Sequence, residues 1–131
     1  MIFELWNATQ GLLGLMDMFK KGDRERRDRI ADYFCTIGGI IKECAEVFKN
    51  GEIPHGSCEQ MRIQAEMFID VIGDTIDKDL ASDYQKRLYD CHELELMMVA
   101  VEEGDRAENI ATLERISGSF AGMGIAIKAQ K

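Results

Sequence analysis

Three groups of residues in this chain have side chains suited to chemistry. His55 and Cys58 form an H-x-x-C unit, and Cys91 and His92 are adjacent, so the set offers the imidazoles and thiols that zinc accepts. The spacing matches no zinc finger, and neighbouring residues on a helix point about 100° apart. Glu52-Ile53-Pro54-His55 is the one E-x-x-H, the spacing that di-iron bundles place on helices, but its proline puts it in a loop. His55 therefore reads as a loop residue and His92 as a helix-surface residue. A Cys-His nucleophilic pair lacks a supporting signature, and no Walker motif or dinucleotide glycine fingerprint occurs. Glu59, Glu66, Asp70 and Asp74 read as a solvated helical face. The expectation is a protein that is not an enzyme, with no catalytic residue, no metal and no cofactor.

The elements that position these residues are helical throughout. A first helix is expected over Ile2–Lys20, stopped by Gly22. Asp23 is a suitable N-cap for a second helix reaching Asn50, with Ile30, Phe34, Ile37, Ile41, Ala45 and Phe48 stepping by three and four into an apolar stripe. Gly51 stands where a left-handed C-cap residue is wanted. After the loop at 51–56, Ser57 and Gln60 have capping-box spacing for a third helix to about Ile76, its stripe being Met61, Ala65, Phe68, Ile69, Ile72 and Ile76. A break at 77–83 leads into a fourth helix, about Ala81–Glu103, carrying Tyr84, Leu88, Cys91, Leu94 or Glu95, Met98 and Val101. Gly104 ends it. A fifth starts near Asp105 with Ile110, Leu113, Ile116, Phe120, Met123 and Ile127 inward. Short loops imply antiparallel neighbours, so the fold class expected is all-α: an antiparallel four-helix bundle over 23–131 plus an apolar N-terminal helix over 1–20, in a single domain. The polar helical end KAQK is consistent with a domain cut from a longer signalling protein.

Of the 12 glycines, four (22, 51, 56, 104) fall in expected breaks. Gly11, Gly14, Gly38, Gly39, Gly73, Gly118, Gly122 and Gly124 fall inside expected helices, where each costs about 1 kcal/mol relative to alanine. Two gains would offset that cost. One is close approach of helix backbones, for which Gly11, Gly14 and the G-x-x-x-G pair Gly118 and Gly122 are the candidates. The other is a helix that bends or undocks readily.

The net charge of −8 disfavours nucleic acid, whose phosphates need a clustered positive field. The charge is uneven. Residues 1–29 hold six basic and five acidic side chains, net +1, and residues 30–131 hold ten and nineteen, net −9. The four cysteines form no C-x-x-C and are expected to be reduced, buried thiols. The first nineteen residues, MIFELWNATQGLLGLMDMF, carry only Glu4 and Asp17 as charges. They differ from a secretion signal in lacking a positive start and a small-x-small cleavage site. At about 1.5 Å per residue they just reach the roughly 30 Å of a hydrocarbon core, with two carboxylates included. Ile2, Phe3, Leu5, Trp6, Leu12, Leu13, Leu15, Met16 and Phe19 cover more than the usual 100° stripe, so their apolar area needs other helices, a partner or a membrane. Trp6 suits an interface. The cations that follow, Lys20, Lys21, Arg24, Arg26, Arg27 and Arg29, are interleaved with Asp23, Glu25 and Asp28 and can meet anionic headgroups or pair internally.

An apolar, glycine-containing start followed by a helical bundle resembles the bacterial HeLo-like (Bell) cell-death domains. It is also similar to the four-helix executioner domain of mixed-lineage kinase domain-like protein. The resemblance implies a pore-forming or membrane-disrupting effector, held inactive until a C-terminal signalling region oligomerises. Residues Ile2 to Phe19 would then insert, with headgroup contacts from Lys20 to Arg29. The partners implied are anionic membrane lipids, further copies of the chain and an upstream signalling partner. The location implied is the cytoplasm, moving to the inner face of the plasma membrane. The alternative reading is a helical adaptor whose N-terminal helix docks a partner helix without lipid.

Overall fold

A computed structural model describes residues 2–90 and 103–129, with side chains at 5–89 and 106–129. The described residues are all-α, with no strand. The helices are α1 (Ile2–Leu13), α2 (Met16–Phe19), α3 (Arg24–Lys49), α4 (His55–Ile72), α5 (Lys78–Asp90) and α6 (Glu103–Lys128).

The long helix α3 starts and stops where the sequence directs. Asp23 Oδ1 accepts the Arg26 amide at 2.8 Å, satisfying one orphan donor of the first turn. Asn50 is the C-cap, and Gly51 follows at φ +79°, a conformation that a Cβ would strain. All six residues of the expected stripe are buried. Antiparallel to α3 lies α6. Lys128 Nζ meets Asp32 Oδ1 at 2.7 Å near one end, and Lys49 Nζ meets Glu114 Oε1 at 3.1 Å near the other. Its expected inward residues, Ile110 to Ile127, are also all buried.

Helix α4 packs on α3, and α5 packs on α4; α1 lies against both α5 and α6. Aromatic rings tie these layers together. Phe34 meets Phe19 edge-on at 5.2 Å and Phe120 at 5.8 Å, while Tyr33, Phe68 and Tyr84 continue the contacts through α4 to α5. Tyr33 Oη donates to the Gln64 carbonyl at 2.5 Å, so its buried hydroxyl is satisfied.

Several expectations require correction. The first helix is broken at Gly14–Leu15, with α2 beginning at Met16. Leu15 N donates to Leu12 O, a tighter three-residue return, where two poor helix formers (Gly11 and Gly14) have weakened the run. Ser57 is not a cap. Helix α4 starts at His55 behind Pro54, and Ser57 is buried inside its first turn. Gly56 accordingly lies within α4 rather than in a break. Helix α4 ends at Ile72 with Gly73 as C-cap, and Ile69 is exposed rather than inward. Helix α5 begins three residues early, at Lys78, where Asp77 Oδ2 accepts the Leu80 amide at 3.4 Å. Cys35 is exposed, whereas Cys44 and Cys58 are buried. The expectations for Cys91, His92, Leu94, Glu95, Met98 and Val101 lie outside the described residues.

Candidate functional site

The N-terminal arm, α1 and α2 with the cationic start of α3, is the candidate site. Along α1, Leu5, Ala8, Thr9 and Leu12 form one buried face. Thr9 hides its hydroxyl by donating to the Leu5 carbonyl at 2.8 Å, so a polar side chain enters the core without an orphan. Trp6, Leu13, Leu15 and Met16 are half-buried against the core, and Phe19 is fully buried on Phe34. The side chains of Ile2 and Phe3 lie outside those described. Of the apolar arm residues whose side chains are described, Met18 is the one left exposed.

The six cations divide into two sets. Arg26 turns inward: its Nη2 donates to Thr75 Oγ1 at 2.5 Å and lies 3.5 Å from Asp74 Oδ1, tying the start of α3 to the α4–α5 connection. Arg27 is half-buried and engaged. Lys21, Arg24 and Arg29 are exposed, and Lys20 is half-buried. Arg24 reaches Asp28 only at 4.0 Å across an exposed i,i+4 spacing, a pairing too solvated to hold it. The collar therefore offers Lys20, Lys21, Arg24 and Arg29 outward, and not Arg26.

The expected glycine contacts also divide. A Cβ on Gly11 would overlap the Tyr84 hydroxyl and stand 3.1 Å from its Cζ, so α1 meets α5 through a notch in which any larger residue must displace the Tyr84 ring. At Gly14 a Cβ would meet the carbonyl of Gly11 at 3.3 Å, within its own segment. Gly118 and Gly122 are not packing glycines: both face open space, on the outward side of α6. The G-x-x-x-G spacing sets a common face but not which way it points. The close approach between α3 and α6 uses Gly38 and Gly124 instead. A Cβ on Gly38 would stand 3.0 Å from the Ser117 carbonyl, and one on Gly124 2.8 Å from the Ala31 carbonyl. Ser117 Oγ donates to the Gly38 carbonyl at 2.7 Å in the same contact. Both glycines interrupt buried stripes, the one signal that marked them apart from Gly118 and Gly122.

The His55 and Cys58 pair does not converge, and Cys91 and His92 lie outside the described residues. His55 is exposed while Cys58, three residues on, points into the core. Among the described residues no group of three or more His, Cys, Asp or Glu side chains could hold a metal. Glu59 and Glu66 both bind Arg62, whose guanidinium they hold above its ordinary range chiefly through the Glu59 hydrogen bond. Burial pushes the Tyr33 and Tyr84 phenols upward. A shallow open cleft between the end of α3 and the start of α6 is lined by Phe48, Lys49, Gly51, Arg106, Ile110 and Glu114. Its cations are engaged, Lys49 with Glu114 and Arg106 with the Phe48 carbonyl at 3.2 Å and the Phe48 ring. No described helix is long and apolar enough to cross a membrane. Comparison with family models, curated proteins and solved structures returned no match.

Proposed function

We propose that this chain is a membrane-disrupting effector domain of the HeLo-like (Bell) cell-death type, switched on by displacement of α1 after oligomerisation. In this reading α3 to α6 form an antiparallel four-helix body, and α1 is the removable strip along one seam of it. The observation that carries the proposal is the seat of α1. It packs against α5 and α6, while the rings of Phe34, Phe120, Tyr33 and Phe68 join α3, α4 and α6 without it.

Magnitudes make the displacement conditional. Exposing Leu5 and Leu12 to water costs on the order of 3–6 kcal/mol, at about 1.5–3 kcal/mol for each buried side chain. The resting protein therefore keeps α1 docked. In a membrane interface the same leucines stay out of water, and four outward cations contribute on the order of 4 kcal/mol toward an anionic surface. Helix α1 has 12 residues, about 18 Å of rise against a hydrocarbon core of roughly 30 Å. It would lie in the interface rather than span it, and several copies would have to act together.

The test is dye release from anionic vesicles by the full chain fused to an inducible oligomeriser. Release is expected only on oligomerisation, and it is expected to disappear when residues 2–13 are deleted or when half-buried Leu15 is replaced in Leu15→Lys. A folded oligomer that never binds the vesicles, or that releases dye equally without α1, would overturn the proposal; the first of these results favours the adaptor reading.

A further inference from the structure

We infer that α1 is a latched flap, with Tyr84 on α5 as the latch, the Gly11 notch as its seat, Gly14–Leu15 as the hinge and Phe19 as the fixed post. The inference rests on the proposed displacement of α1 but needs no lipid. The latch follows from shape. The Tyr84 hydroxyl occupies the space where any other residue at position 11 would place its Cβ, and Cζ and Cε1 would lie only 3.1 and 3.2 Å from that atom. Tyr84 is itself nearly fully buried and braced by the Phe68 ring at 6.3 Å. The ring therefore cannot retreat without disturbing the α4–α5 contact. The hinge follows from the backbone. Helix α1 ends at Leu13 and α2 starts at Met16, so no continuous helical ladder transmits motion across Gly14–Leu15. On the far side, Phe19 is fully buried and packs edge-on against Phe34 of α3. The amides of Phe19 and Lys20 donate to Leu15 and Met16 carbonyls, so that turn is closed on itself. Displacement of α1 would thus leave the chain anchored at Phe19, beside the outward cations Lys20, Lys21 and Arg24.

Hydrogen exchange of the full chain in lipid-free buffer tests this. Gly11→Ala is expected to raise exchange over residues 2–13 by tenfold or more, with the Phe19 and Lys20 amides and the centres of α3 and α6 unchanged. Tyr84→Phe alone should stay close to wild type. In the double variant, removing the hydroxyl leaves the new methyl only tight contacts, and protection of α1 should return to within about threefold of wild type. The inference is overturned if Gly11→Ala leaves α1 protected, if it loosens every helix equally, if exchange spreads through Phe19, or if Tyr84→Phe fails to rescue it. A latch that behaves as expected on a protein that never permeabilises vesicles would retain the flap and remove the membrane role. Vesicle leakage that depends on α1 but ignores Gly11 and Tyr84 would do the reverse.

Discussion

Gly38 and Gly124 stand in the close contact between α3 and α6, and Gly118 and Gly122 stand on the other side of α6 facing open space. The same residue type should therefore respond to alanine with opposite signs. Gly118→Ala and Gly122→Ala gain helix propensity and lose nothing, for an expected stabilisation of about 0.5–1 kcal/mol each. Gly38→Ala and Gly124→Ala drive a methyl against backbone that cannot yield locally, for an expected loss of about 1–3 kcal/mol. Urea denaturation midpoints at constant slope check both signs. Tyr33 gives a second prediction at this scale. Burial raises its folded-state pKa above the ordinary value near 10, so the folded state holds the proton more tightly than the unfolded chain. Below about pH 10 both states are protonated and the contribution to stability is whole. As pH rises further the unfolded chain ionises first, and stability falls by up to about 1.4 kcal/mol per pH unit until the folded phenol also titrates. Tyr84 acts in the same direction. Denaturation between pH 9 and 11.5 should show this slope, and Tyr33→Phe should flatten it.

Helix identity was legible in the sequence wherever one apolar stripe was backed by punctuation. Helix α3 has Asp23 before it, Gly51 after it and an unbroken stripe between, and its bounds fall where expected. The Asp23 cap is worth about 1 kcal/mol, so Asp23→Ala should lower the thermal midpoint by several degrees, as calorimetry would measure. Helix ends set by tertiary geometry were not legible. The Ser57 and Gln60 spacing fits a capping box, but Pro54 starts the helix one turn earlier and carries Ser57 into the core. The break at Gly14–Leu15 was concealed because the apolar run continues through it. The candidate site divided in the same way. Leu5, Leu12 and Phe19 could be read as residues that need cover, yet the cover for α1 comes from α5 and α6, far along the chain, and that for Phe19 includes Phe34 of α3. Nothing local marks Tyr84 as the partner of Gly11, or Asp74 and Thr75 as the partners that take Arg26 out of the cationic collar.

At the scale of the whole molecule, two opposite fields face an anionic surface. The chain carries −8 overall, while the segment from Lys20 to Arg29 holds six cations against three carboxylates, a local +3. Which field a vesicle experiences depends on the screening length. At about 0.01 M salt the Debye length is roughly 30 Å, comparable to a small domain, so the whole negative molecule is felt and approach is disfavoured. At about 0.15 M it shrinks to roughly 8 Å, and only the corner nearest the surface counts. Near 1 M, at about 3 Å, that corner is screened as well. Binding of the oligomerised chain to anionic vesicles should therefore rise and then fall with salt, with its maximum near physiological ionic strength. A purely basic peptide would instead show a steady decline. Charge reversal at the outward cations, in Lys21→Glu with Arg29→Glu, should abolish the maximum and leave weak binding that grows slowly toward high salt as repulsion is screened. Co-sedimentation with vesicles across the salt series reads both curves. A monotonic fall for the unaltered chain would mean that the acidic bulk is turned away from the surface at every salt concentration, and that the cationic corner alone governs approach.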